Sequence, residues 1–267
     1  MFPRFGLIIF NMRKRQKLVL SAVILSLGIV GIQSANLELR YLLVLLLTGV
    51  TWLLTGWSLR EGLSGIEWLT VPIPAALFTA SVGLFYILLP PAWWAKVAIV
   101  ILFGIGQYAL LLSANIFSVA AIRTIALFRA ALAVGFVMTL LTGFFLYDTI
   151  FSFRPEFWVA GLSVAAISML LLLSGLWSVN LEKYLTTRLF IYSLFLAIAM
   201  GLLAMAISFW PINISVSSLF LCSMLYIFLG ISQHHFAQRL LMRTVWEYVT
   251  VGMVVLVTVL FTAGWGV

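Results

Sequence analysis

The chain has 267 residues, of which 64% are apolar and only 8% charged, with 15 Lys and Arg against 7 Asp and Glu. An ordinary soluble domain carries about a quarter of its residues as charges, so this surface is not built to face water. The apolar content suffices for roughly eight or nine helical crossings of about 20 residues each, which excludes a soluble enzyme, a disulfide scaffold and a disordered regulator.

The pattern predicts an all-α fold: a polytopic transmembrane helical bundle of about nine membrane-spanning helices. In chain order the spans are 18–35, 41–59, 73–89, 97–117, 130–151, 157–179, 189–210, 214–232 and 245–265. Each is continuously apolar, whereas barrel strands alternate over about ten residues. Residues 1–17 read as a basic cytoplasmic segment and 18–267 as one transmembrane domain. The connections are short, so chemistry has to take place in or at the bilayer. The expected arrangement is one N-terminal helix followed by four helical hairpins, with corners at Pro90 and Pro91, at Arg154 and Pro155, and at Trp210 and Pro211. Two inner turns share a spacing, Asn115 to Arg123 and Asn180 to Arg188. Their intervening residues do not match, so the interval alone does not establish a duplicated hairpin.

Charge predicts orientation. Of the 15 Lys and Arg, all but Arg40, Lys96 and Arg154 fall on the side of the N-terminus, the positive-inside pattern of a cytoplasmic face. The C-terminus then lies outside, and a bacterial inner membrane is the expected location. The first span also resembles a secretory signal, but Gln33 stands where cleavage after Ala35 wants a small residue. The net charge of +8 is accounted for by this orientation and gives no support to nucleic-acid binding.

Few residues offer chemistry. His235, Arg239, Arg243 and Glu247 recur every four residues, and on one continuous helix they form a stripe able to bind a phosphate, a lipid headgroup or a carboxylate. The plainer reading is the wet face of an interfacial helix, with Arg243 and Glu247 an ordinary side-chain pair. Gln107 lies near the middle of the fourth span beside Gly104 and Gly106. The two glycines mark a candidate broken helix, and the amide a candidate midplane polar site, although a neighbouring helix is its commoner partner. Arg129 and Asp148 bracket the fifth span and are expected to reach opposite interfaces. Ala131, Gly135, Thr139 and Gly143 make an every-fourth stripe that reads as a packing seam, within the bundle or between protomers. Two His, one Cys and one Asp do not make a metal site, and no cofactor motif is present.

The leading functional expectation is a permease-type or lipid- or small-molecule-handling membrane protein, or a membrane subunit of a complex, rather than an enzyme. The alternatives are a membrane-embedded enzyme acting on a lipid phosphate at the cytoplasmic face through His235, Arg239, Arg243 and Glu247, and a scaffold packed through the fifth-span stripe, as a homo-oligomer or with a membrane-protein partner.

Overall fold

A computed structural model describes residues 14–60, 62–63, 65–89, 93–118, 125–181, 184 and 186–264. Among them lie nine long helices and no strand. These are α1 (Lys14–Ser34), α2 (Leu37–Leu59), α3 (Pro72–Leu88), α4 (Trp93–Phe117), α5 (Ile125–Ser152), α6 (Phe157–Asn180), α7 (Thr187–Ile207), α8 (Ile214–Phe236) and α9 (Met242–Thr262). A single turn, Glu67–Thr70, leads into α3, whose first residue is Pro72, where a missing N–H costs least. All nine are long and apolar enough to cross a bilayer once that turn is joined to α3, and the chain is a helical membrane protein. Arg4, Arg13, Pro90, Pro91, Arg123 and Lys183, which carry part of the charge and corner readings, lie outside the described residues.

The expected hairpins are present as packed neighbours: α2 with α3, α4 with α5, α6 with α7, and α8 with α9. Helix α1 rests on α2 and α4, and α5 is surrounded by α3, α4, α6 and α8. One buried apolar group joins Ile29 of α1 to Val82 of α3 and Phe103 of α4. A larger one runs through α6, α7 and α8, with Val164, Met200 and Leu225 buried inside it. Lipid offers no hydrophobic drive between helices, so close packing and interhelical hydrogen bonds hold them together. Thr51 donates to Thr79 (3.0 Å), Tyr147 and Ser168 share a 2.7 Å bond, and Gln233 of α8 donates to the Gly175 carbonyl of α6 (3.0 Å). Outward faces carry large apolar side chains such as Leu45, Leu53 and Phe195, as lipid contact requires.

The tightest crossing is between α6 and α7. A Cβ on Gly201 would lie 2.8 Å from the Gly161 carbonyl oxygen and 2.9 Å from Ala165 Cβ. Only the lack of a side chain lets these backbones meet. Helix α9 is the most peripheral: it packs on α8 through Tyr248, against Tyr226 and Gly230, and only Gly252 and Val259 along it are buried.

Two expectations need correction. Helix α4 is unbroken through Gly104 and Gly106. There the glycines admit neighbours, since a Cβ would meet Ser26 Oγ at 2.8 Å on one side and Phe78 Cζ at 2.8 Å on the other. His235, Arg239, Arg243 and Glu247 do not share a helix, because α8 stops at Phe236 and Gln238 turns the chain in the left-handed region (φ 54°) before α9 begins. Asp148, one turn before the end of α5, is buried against the first turns of α8, where Ser218 donates to its Oδ1 (3.4 Å).

Candidate functional site

Besides these interhelical pairs, polar side chains line two openings, one inside the bundle and one at its basic end. The inner region forms where α3, α4, α5, α6 and α8 converge. A cavity of about 30 Å³ lies there, lined by Thr70, Ser113, Thr139, Ser174, Ser178 and Gln233 among apolar neighbours. Most of these groups are anchored. Thr139, Ser174 and Ser178 donate to carbonyls three or four residues earlier in their own helices, leaving oxygen lone pairs as acceptors. Trp177, Gly135 and Phe117 complete the wall.

Gln107 lies on α4 three residues before Leu110 and seven before Ala114, both of which line the cavity. Three residues of helix rise about 4.5 Å, so its amide sits one turn deeper on nearly the same helix face. The side chain is fully buried, and neither Oε1 nor Nε2 has a hydrogen-bond partner. Among the described residues the other buried side-chain atom in this condition is Ser193 Oγ on α7. A primary amide has two donors and two acceptor sites, and leaving them unpaired in an apolar interior costs about 1–3 kcal/mol per group. Gln107 and Ser193 therefore stand out from buried polar residues such as Thr51, Thr139 and Tyr147, which are tied to backbone or to one another.

The fifth-span stripe divides at this level. Gly143 is packed, since a Cβ there would lie 2.8 Å from Leu225 Cδ2, and Ala131 is buried. Gly135 and Thr139 instead face the cavity, and a Cβ on Gly135 would meet Phe117 Cζ at an ordinary 3.8 Å. Among the described residues, the glycines at which an added Cβ would come nearest to the backbone of another helix are Gly161 and Gly201. Their signal was present in the sequence as small residues four apart, Gly161 with Ala165 and Ala197 with Gly201.

At the basic end, His235 is separated from two of its predicted companions. Arg243 and Glu247 form an exposed pair on α9, Nε to Oε1 3.4 Å, one turn apart. Arg239 is exposed in the connection after α8. His235 meets Arg188 instead, a residue 47 positions away that no local spacing reveals: the Arg188 Nη2 group donates to His235 Nε2 (2.9 Å). Among the described residues no three His, Cys, Asp or Glu side chains converge on a point where a metal ion would be held.

No curated protein and no solved structure matches the chain. One family model matches residues 20–262, from the first turns of α1 to the end of α9, and so includes every helix that builds these two regions. The chain belongs to that family, DUF5656, a family described as a protein of unknown function.

Proposed function

We propose that this membrane protein is of the permease type and handles a small polar or amphiphilic molecule, which enters the hydroxyl-lined cavity and is bound by the Gln107 amide. The basic end faces the cytoplasm of a bacterial cell, in accord with the distribution of Lys and Arg, and the far end of α9 lies outside.

The observation that carries the reading is the unpartnered, fully buried amide one turn beyond a mainly apolar cavity that has hydroxyls in its wall. Intramembrane polar groups are expensive, and their ordinary uses are helix adhesion or ligand contact. With no helix bonded to the Gln107 amide, ligand contact is the use that remains. The cavity has room for about one water-sized group, so a larger ligand has to part α4 from α5. Gly135 leaves space for that step, since even an added Cβ there would meet Phe117 only at ordinary contact distance.

The test is native mass spectrometry of the full chain released gently from membranes, wild type beside Gln107→Leu. The wild type is expected to retain a small-molecule mass that the variant loses while still folded. The same bound species in both would overturn the assignment of Gln107.

A further inference from the structure

A second polar region lies at the basic end, between the end of α6, the start of α7 and the end of α8. It is a cleft of about 520 Å³ lined by Asn180, Arg188, His235, Gln238 and Leu240, together with Thr186 and Phe236. Among the described residues that line it the charged member is Arg188, and none is a carboxylate.

Arg188 is held from several sides. Its guanidinium carbon lies 5.8 Å from the Tyr192 ring centre and 5.4 Å from that of Phe236, both within the range of cation–π attraction. His235 accepts one of its N–H groups and is itself stacked on Tyr192, with ring centres 5.9 Å apart and planes 23° apart. A guanidinium has five N–H donors in a fixed fork, and the bond to His235 uses one. The rest of a preoriented fork faces a cleft with two amide side chains, Asn180 and Gln238, on its walls. The first turn of α7 adds to this field. Its first intrahelical bond runs from Phe190 N to Thr186 O (3.2 Å), so the earlier backbone N–H groups of the helix carry its positive end.

We propose that this cleft binds a phosphate anion, either a lipid headgroup or free phosphate, through the Arg188 guanidinium, with His235 as its positioning partner. The surroundings suit a headgroup. Directly after Arg188, Phe190 and Ile191 are 44% and 56% exposed, and Leu241 and Met242 beyond Leu240 are 67% and 78% exposed. A phosphate held by Arg188 would thus sit at the border of an outward apolar surface, along which acyl chains can lie.

Calorimetric titration of the full-length protein in neutral detergent tests this with three probes: short-chain phosphatidylglycerol, inorganic phosphate and a diacylglycerol without phosphate. Phosphatidylglycerol is expected to bind the wild type, and Arg188→Gln to weaken it about tenfold or more, as loss of a charge-assisted contact does. His235→Ala is expected to weaken it less, while Arg129→Gln, which removes a charge at the same end on α5, leaves it unchanged. Inorganic phosphate binding with the same dependence on Arg188 assigns the site to the free anion; binding of the lipid alone assigns it to a headgroup. Equal binding by Arg188→Gln and wild type overturns the proposal, as does an equal loss in Arg129→Gln or equal affinity for the diacylglycerol. Arg188 is exposed, and Arg188→Lys, which keeps the charge without the fork, provides a second folded variant that should bind at an intermediate affinity.

Discussion

Replacing Gln107 with Leu removes two hydrogen-bonding atoms that are buried without partners and puts apolar atoms in nearly the same space. Each unsatisfied polar group costs about 1–3 kcal/mol, and replacing it by an apolar group of similar shape recovers part of that cost. Phe103 and Leu110 flank it one turn away on the same side of α4, and both are buried, so the new side chain meets apolar company. A net stabilisation of about 1–3 kcal/mol follows, and at about 3 °C per kcal/mol for a chain of this size the midpoint of thermal unfolding rises by about 3–9 °C. Tryptophan fluorescence of the detergent-solubilised protein during a heating ramp measures it. Greater stability combined with loss of the bound ligand is the signature expected of a residue kept for binding at the expense of folding. In protein washed free of bound ligand, a fall in the midpoint would refute the reasoning, because it would mean that the amide is satisfied within the folded chain itself.

Other consequences are as direct. Gly201→Val should destabilise the protein by about 1–3 kcal/mol, the range for forced overpacking, because its Cβ lands 2.8 Å from the Gly161 carbonyl oxygen; the same heating ramp reads the loss. Gly135→Ala should be tolerated and Gly143→Ala should not, since their added methyls lie 3.8 Å from Phe117 and 2.8 Å from Leu225; comparing their unfolding midpoints separates cavity wall from packed joint. Arg243→Gln should leave stability unchanged, as expected for an exposed i,i+4 pair. Single cysteines introduced at Arg154 and Arg239 in a Cys222→Ser background should react with an impermeant thiol reagent from opposite sides of intact cells, with Arg154 reached from outside.

The spans were legible because hydrocarbon demands long uninterrupted apolar runs, and the nine runs of the sequence correspond to the nine long helices. Their ends were less so. Helix α1 starts at Lys14, α4 at Trp93 and α9 at Met242, each a few residues before the apolar run, since a helix continues past the lipid into polar and aromatic residues that a hydropathy reading assigns to loops. The break after α8 left no mark in composition: Ala237, Gln238 and Arg239 include neither Gly nor Pro, and a left-handed Gln is an uncommon way to end a helix. What one chain cannot disclose is which faces meet. Arg188 with His235 and Asp148 with Ser218 are partners 47 and 70 residues apart, set by helix rotation rather than by local spacing. Gln107 was visible as a midplane amide, but its lack of a partner depends on how the neighbouring helices pack against α4.

The glycine crossing of α6 and α7 bears on how the polypeptide is assembled. The two helices are adjacent in the chain and joined by a short connection, so bringing them together costs little loop entropy. Local contacts of this kind form early. The backbone joint at Gly161 and Gly201 is thus one whose parts are both synthesised before α8 emerges, and this hairpin is ready to serve as a template on which roughly the last fifth of the chain docks during insertion.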